Sequence, residues 1–158
     1  MRLTSIDPGN TQSAVVVLDG EKIEWKGIFP NEHIRERLIV GMLKSELLLI
    51  EKVASYGMPV GEEVFETVYW AGRFAEAGAY MPIERLTRNQ IKMALCYRTQ
   101  GVNDSVIRQR LIDLYGGKEA AIGKKKTPGP LYGVKADEWA ALALANAYLE
   151  MRARKGGE

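Results

Sequence analysis

The sequence contains a single cysteine, Cys96, and a single histidine, His33, and this scarcity excludes several kinds of site. Cys96 cannot form a disulfide within the chain, which favours a reducing compartment, and we expect a cytoplasmic protein in a bacterial or phage-infected cell. A zinc site built from cysteine and histidine is excluded because it needs more of these ligands than the chain has. The two residues also fall in different predicted elements, so a paired Cys–His nucleophile is not expected.

Long apolar runs and a strong net charge are also lacking. No stretch approaches the roughly 18 apolar residues of a membrane span, and no signal peptide precedes the first predicted strand, so we expect no membrane association. The net charge is only +2, from 22 basic and 20 acidic residues. The basic residues concentrate between positions 85 and 126, which favours a phosphate-facing surface there, although a solvated helical face is the alternative for any one of them.

The chain has 158 residues, 46% of them hydrophobic, which predicts one α/β domain over residues 1–158. Its order predicts a mixed sheet, in which an antiparallel three-strand meander is followed by parallel strands, with helices on both faces. The predicted strands cover 3–6, a hairpin over 11–29 around Asp19-Gly20, a continuous apolar run over 47–53 and an edge strand over 80–86. Helices are predicted over 31–46 with Asn31 as cap, 62–78, 87–97, 103–117 and 136–154, with a mobile basic loop over 118–135.

Two acids, Asp7 and Glu51, each end an apolar strand and precede a turn or loop. On parallel neighbouring strands they would lie ~5 Å apart. Carboxylates this close repel each other unless one is protonated or a divalent cation lies between them, and ligation by a few carboxylates is typical of Mg²⁺. A third acid, Asp137, begins the last predicted helix. Taken alone, Asp7 could cap a turn and Asp137 could complement a helix dipole, but the three together favour a metal site.

The segments that carry these acids are "SIDPGNT" at 5–11, "LLLIEKV" at 47–53 and "VKADEWAALALA" at 134–145. In this order and spacing the chain resembles the RuvC family of Holliday junction resolvases, within the ribonuclease H-like superfamily. The stretch over 81–117 is also similar to the family, so the resemblance covers essentially the whole chain. The segment "KKKTPGPLYGVK" at 124–135 is similar to phage-encoded members.

The resemblance implies a ribonuclease H-like fold and a homodimer that makes paired symmetric cuts in a four-way DNA junction. It implies two Mg²⁺ ions per active site, with Mn²⁺ as a substitute, and no nucleotide cofactor. The catalytic residues would be Asp7, Glu51 and Asp137, with Lys92 near a family lysine implicated in DNA contact and catalysis. Glu138 or water would complete the metal shell that these three acids begin. We expect the helix over 62–77 to form the dimer interface. The side chains expected to contact DNA are Arg73, Arg88, Lys92, Arg98, Lys124, Lys125 and Lys126.

The chain departs from the family pattern at two places. Ala140 stands where the family often has a fourth acid, so either three acids suffice or Ala140 is an engineered replacement. A second family lysine falls near Asn103-Asp104, where no lysine stands, and its role would pass to Lys92 or to the lysines at 124–126.

Two other functions compete with a nuclease. A junction-binding dimer without catalysis would also carry Ala140. Actin-like ATPases and sugar kinases have a similar acid-Gly-Thr turn, but they need a second domain, for which we expect no room in 158 residues.

Overall fold

The computed structural model describes residues 1–157, and its centre is a five-stranded sheet with the order β3-β2-β1-β4-β5. The β1–β2 and β2–β3 pairs are antiparallel, whereas β1–β4 and β4–β5 are parallel. The strands are β1 (Arg2–Asp7), β2 (Gln12–Asp19), β3 (Lys22–Pro30), β4 (Leu47–Lys52) and β5 (Ile83–Thr87). The expected mixed sheet, a meander followed by parallel strands, is therefore confirmed.

Helices cover both faces of this sheet, as predicted. Their bounds are α1 (Asn31–Ile39), α2 (Glu62–Ala77), α3 (Arg88–Cys96), α4 (Asp104–Leu114), α5 (Lys118–Ala121) and α6 (Glu138–Lys155). The α1 and α2 helices pack on one face, and α3, α4 and α6 pack on the other. None of the helices within residues 1–157 is both long and apolar enough to cross a membrane.

The alternation of side chains along β4 explains its continuous apolar sequence. Leu47 and Leu49 join the core under α3, α4 and α6, whereas Leu48 and Ile50 join the core under α1 and α2. A strand that is buried on both faces has to be apolar at every position. The same two-residue period determines on which face of the sheet the side chain of the next residue, Glu51, lies.

The helix predicted over 31–46 is shorter in the structure, and its predicted cap was wrong. The α1 helix ends at Ile39, and Val40 is 67% exposed, so the apolar residues beyond the helix do not continue a packed face. Asn31 makes no capping hydrogen bond. Its buried amide donates to the carbonyl of Gly9 at 2.9 Å and its Oδ1 accepts from Ser13 Oγ at 2.5 Å. Asn31 therefore stabilises the turn between β1 and β2.

The segment over 118–135, predicted as an irregular mobile loop, is folded in the structure. It contains α5 and a small hairpin of β6 (Gly123–Lys124) and β7 (Thr127–Pro128). Gly129 N donates to the carbonyl of Ile122 at 2.8 Å, and a Cβ on Gly129 would lie 2.3 Å from the carbonyl oxygen of Ala121. The glycine therefore permits a close backbone approach that the composition alone does not reveal.

Candidate active site

Asp7 and Glu51 lie next to each other at the carboxyl ends of two parallel strands. Ile6 pairs with Ile50 in the β1–β4 register, and the acids are the next residue on each strand. The two-residue period places both acids on the face that carries Leu49, which is the face covered by α3, α4 and α6. The adjacency that the sequence predicted for these acids agrees with this register.

The α6 helix brings Asp137 to the same end of the sheet. Ser5 Oγ donates to the carbonyl of Ala141 at 2.7 Å, which joins β1 to the first turn of the helix. Small buried residues allow the helix to lie close to the sheet, namely Ala141, Ala143, Ala145 and Ala147. Asp137 occupies the N-cap position, but its side chain makes no capping hydrogen bond. Capping therefore does not account for this acid.

The three acids and Arg88 line one cleft of about 510 Å³. Ala140, one helical turn after Asp137, also lines it. The remaining lining residues are Asp104, Ser105, Ile107, Arg108, Ala136 and Trp139. The cleft thus combines carboxylates with two arginines at one edge of the sheet.

The carboxylates in this cleft are poorly satisfied. Burial raises the pKa of Asp7 to about 8, and the charges of Glu51 and Asp137 add to the rise while Arg88 opposes it. Burial also raises the pKa of Glu51, again against the effect of Arg88. Glu51 Oε2 is buried and accepts no hydrogen bond from residues 1–157. Two adjacent acids with an unsatisfied oxygen fit a divalent cation that prefers oxygen ligands.

The acids do not form a closed ligand cage. Within residues 1–157, no three histidine, cysteine or acidic side chains lie close enough to hold a metal ion by themselves. Asp7 and Glu51 form the inner pair, and Asp137 is exposed at the rim. Such an open arrangement suits Mg²⁺, which commonly binds one or two carboxylates and takes its other ligands from water and phosphate.

The structure does not bring Glu138 to this cleft, so its predicted role in completing the metal shell is corrected. Glu138 is only 2% exposed, and its Oε2 accepts from Lys26 Nζ at 2.8 Å and from Lys135 N at 2.9 Å. A carboxylate with these two partners anchors the start of α6 to β3. Glu138 therefore helps to place Asp137 rather than to bind the ion.

Arg88 and Asp104 form an ion pair in the cleft that the sequence did not predict. Arg88 Nη1 lies 3.8 Å from Glu51 Oε2, and Nη2 donates to Asp104 Oδ1. The sequence predicts Arg88 only as a DNA contact and gives Asp104 no role in the site. The sequence contains a signal that Arg88 lies near Glu51, because Arg88 directly follows β5, whose end lies beside the end of β4.

The other basic residues predicted to contact DNA lie outside the cleft lining. Lys92 is one helical turn beyond Arg88 on α3. Arg73 lies over the ring of Trp70 at 4.3 Å and pairs with Glu32 at 3.6 Å, on the opposite face of the sheet. Arg98 donates to the carbonyl of Gln100 at 2.6 Å. The three exposed lysines at 124–126 lie in the β6–β7 hairpin, and for all of these residues DNA contact stays a prediction.

The strand order and the two helical layers are those of the ribonuclease H-like fold, and solved structures share them. The chain is similar to the structure of Thermus thermophilus RuvC, with a TM-score of 0.73 and 18% identity over 99% of this chain and 97% of that chain. It is also similar to T. thermophilus RuvC in complex with a Holliday junction substrate, with a TM-score of 0.71 and 18% identity over 99% and 96% of the two chains. No family model and no curated protein sequence matches. At this identity the likeness establishes the fold.

Proposed function

We propose that the chain is a Holliday junction resolvase, a metal-dependent endodeoxyribonuclease that makes paired symmetric incisions and leaves 5′-phosphates. The observation that carries this proposal is the partly buried Asp7–Glu51 pair, with its unsatisfied Glu51 Oε2, at an open cleft. The fold supports it, since one similar structure is a RuvC in complex with a Holliday junction substrate.

Asp7, Glu51 and Asp137 are the residues that would hold Mg²⁺, two ions per site, or Mn²⁺ in its place. When bound, the cations supply Lewis acidity toward a phosphodiester. Asp7 has to release its proton before it can act as a ligand, because its pKa is raised to about 8. Lys92, on the helix that Arg88 begins, is proposed to contact the DNA backbone near the cut.

The proposed resolvase acts as a homodimer, with the outer face of α2 as the interface. Phe65, Val68 and Tyr69 on this helix are 64%, 46% and 57% exposed, whereas Phe74 is fully buried in the core. Exposed large apolar side chains that share a helix are typical of an interaction surface. A two-fold axis through this interface would give two active sites with the symmetry of a four-way junction.

The dimer is tested by light scattering at micromolar concentration. We expect twice the mass of the chain for the parent protein and a monomeric mass for Phe65→Glu. A monomeric parent protein would contradict the dimer.

A catalytically weakened junction-binding dimer is the second candidate, and Ala140 favours it. Ala140 lines the cleft but cannot bind a cation, so the site has one acid fewer than family members often have. This candidate predicts tight binding to junctions with little or no Mg²⁺-dependent cleavage.

One assay separates the two candidates. A four-way junction with a mobile core, built from oligonucleotides, is incubated with the protein in Mg²⁺, Mn²⁺ or EDTA. Paired nicks at symmetric positions that require the metal support the resolvase. Binding without nicks in either metal supports the weakened dimer, and the absence of both binding and nicks would contradict both.

A further inference from the structure

The backbone of Arg88 is fixed at the start of α3, so only its side chain is free to move. The start of α3 carries a capping box, in which Gln90 N donates to Thr87 Oγ1 at 3.2 Å and Thr87 N donates to Gln90 Oε1 at 2.8 Å. Such a box satisfies the first amides of a helix and fixes its first turn. The Arg88 guanidinium therefore projects from a rigid base into the cleft.

The guanidinium makes two unlike contacts. On its inner side, Nη1 is 3.8 Å from Glu51 Oε2, which is an ion pair beyond hydrogen-bond distance. Arg88 thus balances the charge of Glu51 and leaves the oxygen able to accept another ligand. On its outer side, Arg88 donates to Asp104, whose side chain is 86% exposed. An ion pair with so exposed a partner adds little to stability, but it orients the guanidinium and leaves other N–H groups of Arg88 able to bind a further anion.

Arg88 also borders two openings. It lines the main cleft and a second pocket of about 190 Å³ that contains Pro8, Lys52 and Tyr56, and both openings share Asp7 and Glu51. A nucleic-acid backbone that reaches the two acids from either side meets this guanidinium. Guanidinium groups bind phosphate through two parallel hydrogen bonds, so the position suits a phosphate contact.

From this geometry we propose that Arg88 is an internal cation of the site. It balances Glu51 before metal and DNA arrive, and it contacts the DNA phosphate at the cut once they are bound. Asp104 is the positioning residue that holds the guanidinium in the cleft. This proposal rests on the proposed nuclease function. It also makes a prediction for the DNA-free protein, because a cation at Glu51 repels an incoming divalent ion.

The first experiment titrates Mn²⁺ into the DNA-free protein and follows the thermal midpoint of unfolding. Arg88→Met keeps the aliphatic stem and removes the charge, and we expect half-saturation at a Mn²⁺ concentration lower by about threefold or more. Arg88→Lys keeps the charge and should stay within about twofold of the parent protein. Arg2→Met is the matched control, because Arg2 pairs with Glu24 at 2.7 Å at the opposite end of β1. It should leave the half-saturating Mn²⁺ concentration unchanged, whatever it does to the stability of the metal-free protein. An unchanged or raised half-saturation in Arg88→Met would overturn the proposal.

The second experiment measures single-turnover cleavage of a prebound junction at saturating Mn²⁺. Arg88→Met should lower the rate about 100-fold, the cost of removing one charge-stabilising donor, with junction affinity changed less than about threefold. Asp104→Asn should lower the rate about tenfold, and the double variant should match Arg88→Met, since the two residues act as one unit. Cleavage by Arg88→Met at the parent rate, or fully additive losses, would overturn the proposal. A parent protein that does not cleave contradicts the nuclease function instead, and the Mn²⁺ titration still decides the role of Arg88 at Glu51.

Discussion

The buried Glu138 and the partly buried pair Asp7 and Glu51 lie near the start of α6, and their contacts differ. Glu138 has two partners, Lys26 Nζ and Lys135 N, both within 2.9 Å. Glu51 has only a long ion pair to Arg88, and its buried Oε2 has no hydrogen-bond donor among residues 1–157, while the neighbouring Asp7 forms no salt bridge in that part of the chain. Burial of an acid is costly unless the acid is paired. The paired acid therefore supports the structure, and the unpaired acids are the ones available to a ligand from outside.

The neighbouring residues Asp137 and Glu138 show the same division within one helical turn. Asp137 is exposed at the rim of the cleft, and Glu138 is 2% exposed beneath the helix. Successive residues on a helix differ by about 100° in direction, so only one of the two can face the cleft. The contact that holds Glu138 therefore also determines where Asp137 lies.

The largest effect is expected for Asp7→Asn. This change removes a proposed ligand but no phosphate contact, so cleavage of a four-way junction should fall by about 10³-fold or more while binding is retained. The measurement is a single-turnover cleavage assay in Mg²⁺, with a gel-shift titration of the same junction in Ca²⁺. Cleavage by Asp7→Asn at the parent rate would mean that the site is elsewhere.

Glu138→Gln is expected to change stability rather than metal chemistry. Loss of the charge leaves Lys26 without its partner, and we expect a loss of ~2 kcal/mol in the free energy of unfolding. Asp7→Asn should do the opposite in metal-free buffer at pH 8 and stabilise the protein, because it removes an unfavourable buried charge. Denaturant unfolding of both variants at pH 8 measures whether each change raises or lowers the free energy of unfolding. Equal destabilisation by both would contradict the division between paired and unpaired acids.

Without metal, the pH dependence of the free energy of unfolding should show directly how much the charge of Asp7 destabilises the folded protein. Its pKa is about 8 in the folded protein and near the ordinary value of 3.8 in the unfolded chain. Between these values the folded state holds a proton that the unfolded state has released, so stability falls as the pH rises from about 4 to about 8 and then levels off. At about 1.4 kcal/mol per pH unit the decline should approach about 6 kcal/mol. In Asp7→Asn only the smaller part that comes from the raised pKa of Glu51 should remain. The same slope in the variant would assign the titration to another group.

Local sequence patterns predicted the parts of the site that depend on strands. Asp7 and Glu51 could be placed because apolar runs, strand ends and a parallel pairing follow from periodicity and order. The role of Glu138 could not be predicted, because its partner Lys26 is 112 positions away and the pair depends on how α6 packs on β3. Asn31 was misassigned for a similar reason, since its side chain bonds residues of the β1–β2 turn rather than its own helix.

The hairpin at 123–128 was not predicted, for a different reason. Its lysines, glycines and prolines are typical of an irregular loop, and the backbone hydrogen bonds that fold it, such as Leu131 N to the Ala121 carbonyl at 2.8 Å, have no signature in composition. The Arg88–Asp104 pair likewise joins α3 to α4, and only the packing of these two helices brings the residues together.

The smallest effect on the protein itself is expected from replacing Lys124, Lys125 and Lys126 together with alanine. All three are exposed, and no acidic side chain within residues 1–157 forms a salt bridge with them, so the unfolding midpoint should change little. If they contact DNA phosphates, each contributes a slope of roughly −0.9 in log K against log salt. The salt dependence of junction binding should then flatten by up to about three units in the triple variant. These lysines differ from both groups of acids, because they serve neither the fold nor the metal and would act only on DNA. An unchanged slope in a salt titration would exclude the hairpin from the binding surface.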